Sequence, residues 1–190
     1  METPTEFDNQ SYQNINVQEV LSCKVKKLRE QYSERYSKSI HVLTAVDYSI
    51  DGQSEERLRQ AKTNYAGERI ILIPYNLGDF HWIGVIIKFK VDEQIELAEF
   101  INPVKESNFI PDKLQRKFRN VFPSTVLRSR VSQIYGDRQY SAFLTIKNLL
   151  KAVKESEFAE IKSSNMNLSH IQVTDDRQRM NCLFEDQSLN

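Results

Sequence analysis

The chain has 190 residues, enough for one domain with a full hydrophobic core, and its 26 lysines and arginines balance 26 aspartates and glutamates. That balance leaves no net field to draw the protein onto nucleic acid or a lipid headgroup, and no apolar run approaches the length of a membrane span. Two cysteines, Cys23 and Cys182, are too few for a disulfide framework and match no metal spacing, so neither metal nor cofactor is expected. The polar opening METPTEFDNQSYQ lacks the basic and apolar segments of a secretory signal, which reads as cytoplasmic.

Residues 1–15 are polar and aperiodic, the pattern of a loose terminus. Asn16 then caps a helix, with Glu19 at the capping-box position. Val17, Val20, Leu21, Val25, Leu28, Tyr32 and Tyr36 form its apolar face, and Cys23 is expected half-buried. A second helix is predicted from Ser54 to Tyr65, with Leu58, Ala61 and Tyr65 on one face and Gly67 as a left-handed stop. Arg69 to Pro74 reads as a short apolar strand that the proline ends, followed by turn chemistry from Tyr75 to Asp79.

From His81 to Lys90 the two-residue period of a strand is clear, with apolar residues on both faces. The segment from Gln94 to Ile101 pairs back as an antiparallel hairpin, because the connection is too short for a crossover, and Asn102-Pro103 closes it. Pro111 starts a helix through Phe118, Thr125 to Gln133 reads as a strand, and Ser141 to Val153 as a helix with Ala142, Ile146, Leu149, Leu150 and Val153 inward. The order implies an α+β domain over residues 16–160, a mixed central sheet flanked by helices, followed by a polar tail over 161–190.

A thiol protease needs a base for the thiol proton, a group that orients the base, and a donor for the oxyanion. His81 opens the patterned strand just after a Gly-Asp turn, where an imidazole sits at a sheet rim. Asn102 follows it by 21 residues, at the far end of the hairpin partner, so pairing can bring the two to one rim. Gln133 ends the next strand and can donate its amide. Taken singly, each has a plain structural explanation: a strand-end histidine, a turn asparagine, a solvated glutamine, and beside them Trp82 as core. Glu99 competes as orienter, although alternation with Leu97 and Ile101 places it elsewhere on the sheet.

In order, however, the apolar strand Ile71-Leu72-Ile73-Pro74, the His81-Trp82 strand, the Asn102-Pro103 end, Gln133, Asp137, and the helix from Ser141-Ala142 to Asn148-Leu149-Leu150 resemble the ubiquitin-like-protein proteases. That cysteine-peptidase clan includes SUMO proteases, adenain and bacterial effector deubiquitinases. The resemblance covers residues 70–150 and implies a papain-like architecture. It makes His81 the catalytic histidine, Asn102 its orienting partner and Gln133 the oxyanion glutamine, with Trp82, Tyr140 and Ala142 beside the substrate. The departure is at the nucleophile. The family's Cys-Gly pair aligns with Ser141-Ala142, or with Tyr140-Ser141 after a one-residue shift, and neither supplies sulfur. Ser141 carries a hydroxyl far less acidic than a thiol, in a site tuned for a thiolate. Cys182 has only eight residues after it, too few for the buried helix a nucleophile requires.

Three readings follow. The first is a domain that recognises ubiquitin or a ubiquitin-like modifier with hydrolysis lost, in the cytoplasm or, for a secreted effector, in the host cytosol. The second is an active deubiquitinase whose wild-type cysteine at 141 or 142 has been replaced. The third is an interaction module unrelated to proteolysis. No motif speaks to the choice of modifier or to oligomeric state.

Overall fold

Six strands form one mixed sheet, and helices cover both of its faces. The computed structural model describes residues 16–32, 38–78, 81–104, 111–130 and 134–164. Contacts divide the chain into a unit of residues 1–158 and a second of 159–190, and the sheet belongs to the first. The helices are α1 (Val17–Gln31), α2 (Gln53–Thr63), α3 (Asp112–Val121) and α4 (Ser141–Ser164). The strands are β1 (Ser39–Val42), β2 (Val46–Asp47), β3 (Arg69–Asn76), β4 (Trp82–Phe89), β5 (Ile95–Ile101) and β6 (Arg128–Ser129). Their order is β1-β3-β4-β5-β6, with β2 beside β3 beyond the end of β1. The β3–β4–β5 meander is antiparallel, while β1, β2 and β6 join it in parallel. The α+β class with a mixed sheet between helices is therefore the observed one.

The two-residue period of the strands builds two separate cores. On one face Ile40, Ile70, Leu72, Ile86 and Ile101 meet Val17, Leu21, Val25 and Leu28 of α1 and Ala142, Ile146, Leu149 and Val153 of α4. On the other, Ile71, Ile73, Tyr75, Val85, Ile87 and Phe100 meet Leu58 and Ala61 of α2 and Leu114, Phe118 and Val121 of α3. Burying each of the four α1 side chains contributes about 1.5–3 kcal/mol before entropy is charged. The Asn16 cap forms as the sequence indicates, its Oδ1 accepting the Glu19 N–H at 3.3 Å. Cys23, expected half-buried, is exposed.

Among the described residues Arg69 is the one fully buried guanidinium. It lies on the Phe89 ring at 3.9 Å, pairs with Glu93, and donates to the carbonyls of Gly67, Ala61 and Lys62. The Gly67 N–H and then Arg69 hold the Glu93 carboxyl below its ordinary range. Gly67 has φ +74° but serves this turn and does not cap α2, which ends at Thr63. Tyr65, past that end, stacks on His41 at 3.9 Å.

Pro74 does not end β3, which runs on to Asn76. The β3 residues alternate in the direction of their hydrogen-bonding groups, and those of 70, 72, 74 and 76 face β1 and β2. β1 has left the ladder after the Leu43 N–H to Leu72 bond, and β2 begins only opposite Tyr75. Pro74 thus faces the gap between the two, where no donor is needed.

Of the strand expected over Thr125–Gln133, residues 131–133 lie outside the described residues, and within 125–130 it covers Arg128–Ser129, extended by a bond from the Arg130 N–H to the Phe100 carbonyl at 2.9 Å. The helix expected to stop at Val153 continues to Ser164. β1 and β2, which no sequence pattern announced, are four and two residues long. Among the described residues no helix is long and apolar enough to cross a membrane.

Candidate functional site

β4 and β5 bring His81 and Asn102 to one end of the sheet. Gly84 pairs with Ile101, so Trp82 lies level with Pro103 and the two flanking side chains meet. The His81 Nε2 is 3.1 Å from the Asn102 Oδ1. The same Oδ1 accepts the Val104 backbone N–H at 3.1 Å. A backbone N–H can only donate, so that bond fixes which end of the amide is oxygen. The oxygen can only accept from His81, which requires the proton on Nε2 and leaves Nδ1 of the neutral ring as the acceptor. Asn102 is buried and His81 half-buried, so the pair is held from below and approached from above.

Trp82 is gripped through its backbone. The Leu77 N–H bonds the His81 carbonyl at 2.8 Å, so by antiparallel alternation the polar groups of Trp82 face away from β3. There β5 has already ended, and Pro103 has no N–H to give. The first turn of α4 supplies the partners. Ser141 Oγ accepts the Trp82 N–H at 3.0 Å, and Thr145 Oγ1 donates to the Trp82 carbonyl at 2.9 Å. Ser141 and Thr145, four apart on one helix face, are both fully buried. They complete the ladder where the sheet runs out.

The packing that allows this approach is tight. A Cβ on Gly84 would sit 3.0 Å from three atoms of the buried Leu149 side chain, so glycine lets α4 lie directly on β4. The loop before α4 is fastened at two points. Asn148 brackets Ile134, accepting its N–H at 2.7 Å and donating to its carbonyl at 2.8 Å. The Gly136 N–H bonds the Pro103 carbonyl at 3.0 Å beside the Asn102–His81 pair. Tyr135 and Tyr140, in the segment leading into α4, are exposed, and Trp82 is half-buried.

Of the sequence candidates, the structure joins His81, Trp82, Asn102 and Ser141 in one region, with Tyr140 and Ala142 either side of Ser141. Gln133 and Cys182 lie outside the described residues. The three positions at which a nucleophile aligns differ in access: Tyr140 is 38% exposed, Ser141 0% and Ala142 5%. Glu99 is committed elsewhere, to Arg130, which also holds Glu155 on α4. Thr145 and Asn148 escaped sequence reasoning as site residues, although a threonine one turn after Ser141 was a visible signal for a shared face. Among the described residues no group of three or more His, Cys, Asp or Glu is placed to hold a metal ion.

No family model matches the chain, and no curated protein does. Among solved structures, the central domain of an uncharacterised protein from Legionella pneumophila is similar, with TM-score 0.46 and 17% sequence identity over 62% of this chain and 68% of that one.

Proposed function

We propose that this chain is a protease-like recognition domain for ubiquitin or a ubiquitin-like modifier, in which hydrolysis has been lost. The observation that carries the reading is the Val104–Asn102–His81 relay, which holds a histidine in the tautomer a nucleophile's base requires while the helix start beside it is sulfur-free. Ser141, at the aligned position, is buried and engaged with the Trp82 backbone, a structural duty that opposes attack on a substrate. The base and its orienter stand at the open end of the sheet, and exposed Tyr135 and Tyr140 offer apolar contact area for an incoming chain terminus.

Titration of labelled ubiquitin and SUMO into the full chain tests the reading, alongside turnover of their fluorogenic conjugates. Saturable binding to one of them, weakened by Tyr140→Ala or Trp82→Ala, with turnover no faster than His81→Ala, is the expected result. Absence of binding to either overturns it. The tautomer also favours a second reading, an active protease whose cysteine has been replaced. Labelling of Ser141→Cys by a ubiquitin vinyl-sulfone probe, absent in a Ser141→Cys, His81→Ala double variant, selects that reading.

A further inference from the structure

β1 is the outermost strand on one side of the sheet. The bond from the Leu43 N–H to the Leu72 carbonyl, 2.9 Å, with Val42 level with Leu72, sets the phase of the β1–β3 ladder. Residues 39, 41 and 43 turn their backbone groups toward β3, and by alternation Ile40 and Val42 turn theirs off the sheet. Among the described residues no bond meets those outward groups. Sheet edges are commonly protected by lysine, proline or a bulge, and Ser39–Val42 contains neither lysine nor proline.

The side chains of Ile40 and Val42 do not cover this edge either, because both pack into the core under α1. Beside them an open groove of about 530 Å³ runs between β1 and α1, floored by Val25, Ile40 and Val42 and rimmed by Lys26, Arg29 and Glu30. Only a chain in extended conformation presents donors and acceptors at the two-residue repeat that Ile40 and Val42 offer. We infer that the α1–β1 edge docks an extended peptide of a partner protein, which adds a strand to β1, seats an apolar side chain in the groove and sets an acidic residue against Lys26 and Arg29. Among the described residues the rim's two cations outnumber its one carboxylate, which gives the acidic preference. A second copy of this chain fits less well, since its own β1 holds its apolar side chains beneath its own α1. Two outward residues make a short ladder, so the groove must supply much of the affinity and all of the side-chain selectivity.

The test is a display selection of random short peptides on the full chain, counter-selected on Val42→Pro. Proline there removes one outward N–H and leaves the ladder to β3 untouched, a substitution edge strands tolerate. Arg29→Glu, on the exposed rim of α1, serves as an independent variant should Val42→Pro fail to fold. Enriched peptides are expected to alternate apolar residues around an acidic one and to bind either variant roughly tenfold more weakly than the parent. Their addition should slow amide exchange at Ile40 and Val42, while His41 and Leu43 are slow already. Failure to enrich peptides, equal binding to the variants, or protection of amides elsewhere overturns the inference. A dimer that Val42→Pro dissociates, with no peptide enriched, assigns the edge to a second copy and overturns it as well.

Discussion

Replacing Ser141 by alanine tests whether the hydroxyl holds the sheet together at Trp82. The change deletes the acceptor of the Trp82 N–H, a part-buried bond of 3.0 Å whose Ser141 side is fully buried. A buried donor left without a partner costs about 1–3 kcal/mol, more than the net worth of an average hydrogen bond. Thr145→Val strips the donor from the other side of the same residue; a carbonyl tolerates under-satisfaction better than an N–H, so the expected loss is about 1 kcal/mol. For a chain of this size each kcal/mol lowers Tm by roughly 2–4 °C. Urea titration of the full chain measures the loss, and Trp82, the single tryptophan, reports the site directly through its emission. The double variant should fall short of the sum by about 0.5 kcal/mol or more, because once one bond is lost Trp82 is free to relax from the other. A Ser141→Ala protein within about 0.5 kcal/mol of the parent, with unchanged emission, would refute the structural role given to this serine. Turnover present in the parent and abolished by the same substitution would show that it attacks.

Further outcomes follow from other positions. Two-dimensional nitrogen–proton spectra should show the neutral His81 ring protonated on Nε2, and Asn102→Ala should let the Nδ1–H form appear; a parent already mixed between tautomers would undo the relay. Gly84→Ala should cost about 1–3 kcal/mol, since the new methyl meets the Leu149 side chain at 3.0 Å in a filled core, and a neutral urea midpoint would contradict the close approach of α4. Burial, then Arg29 and Arg69, hold the His41 imidazole below its ordinary pKa of 6.5. Folding therefore favours the neutral ring, and the stability this contributes is present above pH 6.5 and lost as pH falls through the lower folded value. The urea midpoint of the parent should drop on acidification more steeply than that of His41→Phe; parallel profiles would exclude His41 as the cause.

The meander was legible because β4 and β5 are long and joined by a short connection, so the spacing of His81 and Asn102 alone predicted their meeting. The clamp on Trp82 was not. It depends on the phase of β3 and β4, which turns Trp82 away from β3, and on β5 ending before it reaches Trp82; one residue of difference in that phase would have pointed those backbone groups at β3. β1 and β2 are too short to display a period, and they exist because β3 offers them a partner. Among the described residues the strand around Arg128 is shorter than expected because only two of them pair with β5. Pro74 misled for a physical reason: a proline stops a strand only when its missing N–H faces a neighbour.

That same proline acts as a key for alignment during folding. β1 must find β3 across the intervening α2, and a slip of two residues would keep every side chain on its proper face, so burial alone does not forbid it. Sliding β1 by two toward the end of β3 brings Val42 level with Pro74 and asks for a bond the imino nitrogen cannot give. Stranding one buried carbonyl costs about 1 kcal/mol, a bias of roughly fivefold toward the native pairing. Replacing Pro74 by valine should then leave the native fold almost unchanged in stability while admitting a misaligned species during refolding.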